Sequence, residues 1–330
     1  MSYPAPPGEL LSFVSSYQTY ILVGHVEPDG DCLASALALA SFLKRHGKDV
    51  RLLNEGPFFR PEIKRLEHNF ETSLDPRDIR EAPEPAVIIL DCSTPERVGA
   101  FAEAIDPYPT AVIDHHYSAD PYGDVTYVVS HAPATSVLVQ LLIEVADGKP
   151  SEEEARLILF ALATDTGYFR HLDVGSGPAF RATGRLVDAG ASPKDTHLEM
   201  YGGKSIESRR LLGVVLARTE FLAGGRAALA YETMKETEKY GRENRDSDTL
   251  YQILMGTGEC KVICLIREES SDSCTGSLRS RDDTDVATPA KELGGGGHRR
   301  AAGFMVEEPL SEVLPRMRKL LEELIAKGQQ

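Results

Sequence analysis

Ala86-Val87-Ile88-Ile89-Leu90-Asp91 is a continuous apolar run that ends in a carboxylate, and Thr110-Ala111-Val112-Ile113-Asp114-His115-His116 repeats that pattern. Uninterrupted aliphatic and β-branched runs are typical of strands in a parallel sheet that is covered on both faces. The two stretches therefore predict buried parallel strands over 86–90 and 110–113. They also place acidic and imidazole side chains directly after each strand.

The flanking residues continue this pattern as an alternation of strands and helices. Upstream, strands are predicted over 20–24 and 50–53, and the helix between them follows a loop over 25–30 and is closed by Gly47. Further helices are predicted over the ranges 95–105, 134–146 and 151–163. This alternation predicts an α/β fold with a parallel sheet for the domain over residues 1–190.

The pattern changes after Gly190, which indicates a second, smaller α/β domain over 216–330 and a linker over 191–215. The predicted elements of this half are helices over 205–217, 286–293 and 310–325, a hairpin of 219–222 with 227–231, and strands over 262–266 and 275–279. We expect a cleft between the two domains to hold the substrate.

Composition limits the classes of function. The chain has 330 residues, an apolar fraction of 42% and a net charge of −15, so we expect two globular domains and no loose binding of long nucleic acid by charge alone. No apolar run reaches the roughly 18 residues of a membrane span, and the first residues lack the basic and apolar parts of a signal peptide. The five cysteines lack Cys-x-x-Cys spacing, which argues against a disulfide framework or a thiolate zinc site. We expect a cytoplasmic protein without a membrane partner.

Acidic and histidine side chains gather where the predicted strands end. Ligands of open α/β sheets bind outside the carboxyl ends of the strands, so these side chains are expected at one rim of the sheet. The set comprises His25, Asp29 and Asp31 after the first strand, Asp91 after 86–90, Asp114, His115 and His116 after 110–113, and Asp165 at the end of the helix over 151–163.

Such a cluster of carboxylates predicts a metal centre, because their mutual repulsion is large unless cations offset it. Two divalent ions meet this need, and a set of oxygen and imidazole ligands without thiolate favours Mn²⁺, with Mg²⁺ second. Taken singly, the residues have structural explanations. His25 could be a packed histidine, the sequence 28–31 suits a turn, and Asp91 could cap the following helix.

Four motifs occur in chain order: His25-Val26-Glu27-Pro28-Asp29-Gly30-Asp31-Cys32-Leu33-Ala34-Ser35, Asp91-Cys92-Ser93, Asp114-His115-His116 and Ala163-Thr164-Asp165-Thr166-Gly167. They match the motifs of the DHH phosphoesterases, so the chain resembles that family. Two later stretches resemble the DHH-associated C-terminal domain: Ser277-Leu278-Arg279-Ser280-Arg281 and Gly294-Gly295-Gly296-Gly297-His298-Arg299-Arg300-Ala301-Ala302-Gly303-Phe304. Cys32 and Ala34 stand where the family usually has Ala and Gly. Cys32 is interpreted as a small buried residue, with an oxidation-sensitive thiol as the alternative.

The resemblance implies roles for the clustered residues of the first domain. One Mn²⁺ would be held by His25, Asp29 and Asp91, and the second by Asp31, Asp91, His115 and Asp165, with Asp91 shared. The catalytic residues would be His116, facing the scissile phosphate, and Asp114, orienting the neighbouring imidazoles. Thr135, Ser136 and Arg170 are possible contacts to a second phosphate.

In the second domain the resemblance implies a substrate-binding surface. Glycines allow backbone amides to approach a phosphate closely, and arginine offers a bidentate fork. A flexible glycine loop next to a solvated basic stretch is the structural alternative. The implied substrate-binding residues are Arg279, Ser280, Arg281, Gly295, Gly296, Gly297 and His298.

The size of the chain and its lack of sensor domains resemble the standalone branch of the family. This implies a Mn²⁺-dependent hydrolase of short oligoribonucleotides (nanoRNA), of pAp, or of both, which releases nucleoside monophosphates. A cyclic-di-AMP or pApA phosphodiesterase is the alternative within the family, and a non-catalytic nucleotide sensor is the alternative outside it. A homodimer through the first domain is possible by the same resemblance.

Overall fold

The computed structural model describes residues 3–117 and 122–327. It divides the chain into two compact units, Met1–Gly203 and Lys204–Gln330. The division falls inside the range 191–215 that the sequence analysis assigned to a linker. That range is mostly helical, since it contains the helix Pro193–Tyr201 and the first turns of Ile206–Arg218. Ser192 and Ser205 cap these helices, each accepting a hydrogen bond from a backbone amide three residues on.

The first unit contains a five-stranded sheet in the order β2-β1-β3-β4-β5, in which every pair of neighbours is parallel. The strands are β1 (Thr19–Val23), β2 (Asp49–Leu53), β3 (Pro85–Leu90), β4 (Thr110–Asp114) and β5 (Val125–Val128). The α/β class and four of these strands were predicted. β5 was not, because its four residues at the sheet edge are only partly buried and lack an apolar run.

Nine α-helices accompany this sheet within the described part of the first unit. They are α1 (Gly8–Ser16), α2 (Gly30–Arg45), α3 (Pro61–Lys64), α4 (Pro76–Arg80), α5 (Ala102–Ile105), α6 (Thr135–Asp147), α7 (Glu152–Asp165), α8 (Gly177–Asp188) and α9 (Pro193–Tyr201). The helix predicted over 95–105 is two pieces, a 3₁₀ segment Pro95–Phe101 and then α5. Inside the 3₁₀ segment, Gly99 has a φ of 73°, which lies outside the helical region and prevents one continuous helix over 95–105.

Local signals fix the two helices that carry the site. Asp29 caps α2 by accepting from the amides of Asp31 and Cys32, both at 3.1 Å. Ser151 and Glu154 form a reciprocal capping box at the start of α7. The two helices pack against each other and bury most of α2, so Asp31 near the start of α2 is held by a rigid core.

The second unit contains a six-stranded mixed sheet in the order β10-β11-β9-β8-β7-β6. β7 and β8 are parallel and the other neighbours are antiparallel. The strands are β6 (Glu220–Leu222), β7 (Ala227–Glu232), β8 (Val262–Ser270), β9 (Ser273–Ser280), β10 (Gly296–His298) and β11 (Ala301–Val306). The predicted hairpin of β6 with β7 is confirmed, and the glycine-rich stretch 294–297 is partly strand β10.

Helices cover both faces of this second sheet. They are α10 (Ile206–Arg218), α11 (Met234–Tyr240), α12 (Ser247–Met255), α13 (Ala287–Glu292) and α14 (Leu310–Lys327). One face packs against α14 through residues such as Cys264, Leu278 and Leu321, and the other packs against α10 and α12 through Ile263 and Leu250. Across both units, none of the helices that the structure describes is long and apolar enough to cross a membrane.

Candidate metal centre

The predicted ligands of the first unit meet at the carboxyl ends of β1, β3 and β4 and at the end of α7. Asp91, directly after β3, lies at their centre, 1% exposed and with a positive φ of 59°. His25 Nε2 is 3.5 Å from Asp91 Oδ2, and His115 Nε2 is 3.5 Å from Asp91 Oδ1. Asp91 therefore stands between two imidazoles that come from different strands.

Further carboxylates complete the cluster around the two imidazoles. His115 Nε2 is 3.5 Å from Asp165 Oδ2, and His25 Nε2 is 4.0 Å from Asp29 Oδ1, the oxygen that also caps α2. Potential ligand atoms fall within 4.8 Å of one another in three overlapping groups. The groups are His25 with Cys32 and Asp91, Asp91 with His115 and His116, and Asp31 with His115 and Asp165.

The imidazoles are oriented by their backbone contacts. His25 Nδ1 lies 2.8 Å from the carbonyl oxygen of Val26, and His115 Nδ1 lies 3.2 Å from that of Ala132. These contacts make Nδ1 the donor and leave each Nε2 as an acceptor directed at the carboxylates. His115 Nε2 is buried and has no hydrogen-bond partner among the residues that the structure describes. An unpartnered imidazole nitrogen beside carboxylates fits a divalent cation, because such a cation accepts lone pairs from both.

The electrostatics of the carboxylates indicate the same requirement. Burial, reinforced by the charge of Asp31, raises the pKa of Asp91 well above its usual range. Burial is also the main reason that the pKa of Asp31 is raised and that the pKa of Asp165 is raised to about 7. Hydroxyls and backbone amides donate to Asp31 and Asp91, which leaves their negative charge to be offset by a bound cation.

Asp114 and His116 form a hydrogen-bonded pair at the edge of this cluster, where His116 Nδ1 also lies 3.6 Å from Asp91 Oδ1. Asp114 is fully buried, and its Oδ1 accepts from the backbone amide of His116 at 3.0 Å and from its Nδ1 at 2.9 Å, while Oδ2 accepts from the Ser93 hydroxyl. Burial alone would raise the pKa of Asp114, but these hydrogen bonds outweigh it and lower the pKa. The same hydrogen bond raises the pKa of His116, whose side chain is 49% exposed. His116 is thus held in place with its other nitrogen free to face solvent.

Thr135 and Ser136 lie where the sequence analysis placed a phosphate contact, but their amides point inward. The amide of Thr135 donates to Asp31 Oδ2 at 2.6 Å, and that of Ser136 donates to Asp31 Oδ1 at 3.0 Å. Arg170 is exposed and donates to the carbonyl of Gly167. The sequence gives no direct signal that the start of α6 supports the ligands, apart from the absence of a capping side chain at Ala134.

Cys32 is a buried residue of the helix–strand interface. Its Sγ packs over Gly24, where an added Cβ would come within 2.2 Å of the sulfur. Burial, reinforced by the charge of Asp91, raises the pKa of the thiol well above its usual range. These properties match the interpretation of Cys32 as a small packing residue.

Two of the predicted substrate-binding residues share one face of the second sheet. Arg279 of β9 and His298 of β10 both pair in register with Ala301 of β11, so the three side chains lie on the same side of the sheet. The next register level on that side is Ser277, Gly303 and Gly296. Small residues thus form the floor between a guanidinium and an imidazole.

Tyr251 of α12 supports this surface, and the sequence analysis did not identify it. The Arg279 guanidinium lies over the Tyr251 ring at 5.1 Å from its centroid, and the Tyr251 hydroxyl is hydrogen-bonded to Ser277. Arg279 Nη1 also donates to the carbonyl of Leu278 at 3.1 Å. The stacking and the hydrogen bond restrict the guanidinium to one side of the sheet.

The remaining predicted contacts are distributed differently. Ser280 lies on the opposite face of β9, where its hydroxyl donates to the carbonyl of Asp282, and Arg281 donates to the carbonyl of Met255. A Cβ at Gly295 or Gly297 would meet the carbonyl oxygen of Gly303 or Ala301 at 2.1 or 2.4 Å. These two glycines are therefore required by close strand contacts, whereas Gly296 opens onto free space.

Comparison with protein families identifies the two units. Residues 19–164 match the family described as DHH family, N-terminal domain, and residues 224–327 match the DHHA1 domain. The chain contains a DHH family N-terminal domain and a DHHA1 domain. The resemblance inferred from the four motifs and from the second-half stretches is confirmed, as is the prediction of a phosphoesterase of this family.

Relatives with assigned activities cover most of the chain. The bifunctional oligoribonuclease and PAP phosphatase NrnA of Thermus thermophilus is 29% identical over 280 residues, 84% of this chain and 81% of that protein. The protein of the same name from Bacillus subtilis is 26% identical over 306 residues, 90% and 92% of the two chains. The crystal structure of an exopolyphosphatase-related protein from Bacteroides fragilis, 23% identical, aligns over 98% of this DHH protein and 97% of that chain with a TM-score of 0.77. That structural likeness supports the fold.

Proposed function

We propose that this DHH protein is a Mn²⁺-dependent hydrolase of short oligoribonucleotides and of pAp that releases nucleoside monophosphates. The proposal rests above all on the buried His115 Nε2, which has no hydrogen-bond partner among the described residues and faces the carboxylates of Asp91 and Asp165. The names of the two NrnA relatives supply the substrate class. The cytoplasmic location and the possible homodimer stay predictions from the sequence.

In this proposal the clustered residues hold two divalent ions. His25, Asp29 and Asp91 would form one site, and Asp31, Asp91, His115 and Asp165 the other, with Asp91 shared. When bound, the ions would supply Lewis acidity to the phosphoryl oxygens and acidify an attacking water.

His116 would act on the substrate directly. Its Nδ1 is engaged by Asp114 at 2.9 Å, which leaves Nε2 to donate a hydrogen bond to a phosphoryl oxygen. The hydrogen bond with Asp114 raises the pKa of His116, so the protonated imidazole is favoured. A cation next to a phosphate stabilises the charge that develops during hydrolysis. Asp114 would act through His116 and not on the substrate.

The second unit would hold the end of the substrate away from the cleaved bond. Arg279 and His298 flank a floor of small residues, which leaves room for a ribose phosphate or a base between two groups that bind anions. Ser280, on the other face of β9, is not included in this proposal. Gly296 would leave space for the substrate because it has no side chain, and Arg279 would bind the substrate through its positive charge.

The experiment that tests the proposal is a substrate panel analysed by chromatography. The purified protein is incubated with Mn²⁺, Mg²⁺ or chelator and with pAp, pApA, cyclic-di-AMP and RNA of two to five nucleotides or of 24 nucleotides. We expect Mn²⁺-stimulated release of nucleoside monophosphate from pAp and the short RNAs, and none from an Asp91→Ala preparation purified in parallel. A preference for cyclic-di-AMP or pApA would replace the proposed substrate class, and no turnover on any substrate would favour a nucleotide sensor.

A further inference from the structure

The start of α6 lies against the metal centre and has no cap of its own. The residue before it is Ala134, which has no side chain that could accept from the first amides of the helix. Asp31, from α2, takes that place by accepting from the amides of Thr135 at 2.6 Å and of Ser136 at 3.0 Å. Both carboxylate oxygens of Asp31 are thereby fixed by the positive end of a 13-residue helix.

The same helix start also holds Asp91. The hydroxyl of Thr135 donates to Asp91 Oδ1 at 2.9 Å, and both side chains are buried. Oδ1 is also the oxygen that lies 3.5 Å from His115 Nε2, while Oδ2 faces His25. The hydroxyl therefore restricts rotation of the Asp91 carboxylate without blocking the direction of either imidazole.

We infer that Thr135 is a positioning residue of the metal centre, whose amide orients Asp31 while its hydroxyl orients Asp91. One residue thus sets the spacing of two carboxylates, one in helix α2 and one directly after strand β3. The inference rests on the metal centre of the proposed function and extends it to a residue outside the predicted ligands. Its role is comparable to that of hydrogen-bond partners around metal ligands in general, whose loss lowers metal affinity about 10–100-fold.

The side chain of Thr135 can be altered without changing its backbone contacts. Thr135→Val keeps the shape of the residue and the hydrogen bond from its backbone amide to Asp31. It removes only the hydroxyl that donates to Asp91. Thr135→Ser keeps the donor and removes a methyl group. The matched control is Thr19→Val, because Thr19 is a buried residue of the same unit whose hydroxyl has no hydrogen-bond partner among the described residues.

The test is the affinity of the full-length protein for Mn²⁺, measured by titration calorimetry and by the electron paramagnetic resonance signal of free Mn²⁺. We expect Thr135→Val to bind Mn²⁺ about 10–100-fold more weakly than the wild type. Thr135→Ser and Thr19→Val should stay within about threefold of it. At saturating Mn²⁺, the KM of Thr135→Val for pAp should match that of the wild type, because the substrate contacts are untouched.

Each outcome separates the inference from the proposed function. Wild-type affinity in Thr135→Val, or an equal loss in Thr19→Val, would overturn the positioning role while leaving the metal centre intact. Absence of Mn²⁺ binding by the wild type would instead overturn the metal centre itself. Should Thr135→Val fail to fold in thermal unfolding, Thr135→Ala compared with Thr135→Ser gives the same contrast between absence and presence of the hydroxyl.

Discussion

The buried carboxylates of the metal centre and the paired carboxylates of the second unit have opposite electrostatic environments. In the first unit, burial raises the pKa values of Asp31, Asp91 and Asp165. In the second unit, hydrogen bonds from Thr284 and the nearby Lys261 lower the pKa of Asp282, and a hydrogen bond from Arg318 lowers that of Glu220. The second unit therefore pairs its own negative charges, whereas the centre of the first unit concentrates negative charge that folding alone does not neutralise.

This difference assigns the two units complementary tasks. A buried anionic cluster needs bound cations or protons to offset its charge, and under the proposed function the first unit would bind the divalent metal. The second unit keeps Arg279 and His298 on a face lined by small residues, and under the proposed function it would bind the anionic substrate. The predictions below test this division.

Asp91→Ala should have the largest effect. It removes the carboxylate that faces both His25 and His115, so we expect kcat for short RNA to fall by at least roughly 10³-fold. The matched control is Asp283→Ala, an exposed carboxylate of the second unit, which should leave kcat within about twofold. Near-normal activity and an unchanged Mn²⁺ stoichiometry in Asp91→Ala would contradict the shared-ligand assignment.

His115→Ala and His116→Ala should differ in kind, although they are neighbours. His115 directs a buried Nε2 at two carboxylates, so its loss should lower Mn²⁺ affinity, with activity partly restored by excess metal. His116 is held by Asp114 and half exposed, so its loss should lower kcat about 10²–10⁴-fold with Mn²⁺ content intact. Metal analysis of both variants decides, and equal Mn²⁺ loss in the two would contradict this difference.

The clustering of the candidate ligands could be predicted because its pattern is local. Each ligand follows a strand or ends a helix, and the rule that strand ends of a parallel sheet share one rim brought His25, Asp91 and His115 together before the structure did. The α/β class followed from the same apolar runs. The roles assigned to these residues stay predictions.

The supporting residues could not be predicted, because their contacts are long-range. Thr135 reaches Asp91 from 44 positions away, and Tyr251 reaches Ser277 from 26 positions away, with no spacing rule that links them. The glycines 295 and 297 were interpreted as letting backbone amides approach a phosphate, and the structure adds a packing reason for them, the close approach of this segment to Gly303 and Ala301 of β11. Such packing requirements depend on which strands become neighbours, and that information is absent from local patterns.

Arg279→Ala and His298→Ala test the second unit. Loss of one charge-assisted contact of roughly 1.5–3 kcal/mol corresponds to about 10–150-fold in kcat/KM, which we expect as a raised KM for short RNA. A generic diester such as bis-p-nitrophenyl phosphate has no nucleotide beyond the cleaved bond for Arg279 or His298 to bind, so it should be hydrolysed almost normally. The control is Arg300→Ala, in the turn between β10 and β11. The Arg300 side chain is exposed and paired with Asp283. An equal loss on the generic diester would contradict a role in substrate binding.

Tyr251 should contribute a smaller effect through Arg279. Tyr251→Leu removes the ring beneath the guanidinium, a contact worth about 0.5–1 kcal/mol, so KM for short RNA should rise about 2–5-fold with kcat unchanged. Tyr251→Phe keeps the ring and loses only the bond to Ser277, so it should restore most of the affinity. If the Phe and Leu variants show the same KM, the stacking does not position Arg279. If Arg279→Ala and the double variant with Tyr251→Leu have equal KM, the two residues act together.

The smallest effect concerns stability, and its sign differs between the units. A carboxyl whose pKa is raised in the folded state, such as Asp165 at about 7, stabilises the fold at low pH and loses that contribution as the pH rises through the folded value. A carboxyl whose pKa is lowered, such as Glu220, contributes stability that is lost only as the pH falls through its folded value. In chelator, the midpoint of thermal unfolding should therefore fall by a few degrees between pH 5.5 and pH 8, at roughly 2–4 °C per kcal/mol for a unit of this size.

Saturating Mn²⁺ should remove this fall, because bound cations replace the protons that the buried carboxylates otherwise need. Asp165→Asn should flatten the fall in chelator, whereas Glu220→Gln, the control from the second unit, should leave it unchanged. A midpoint that rises across this pH range in chelator would mean that the cluster of the first unit does not carry the unbalanced charge on which its metal binding depends.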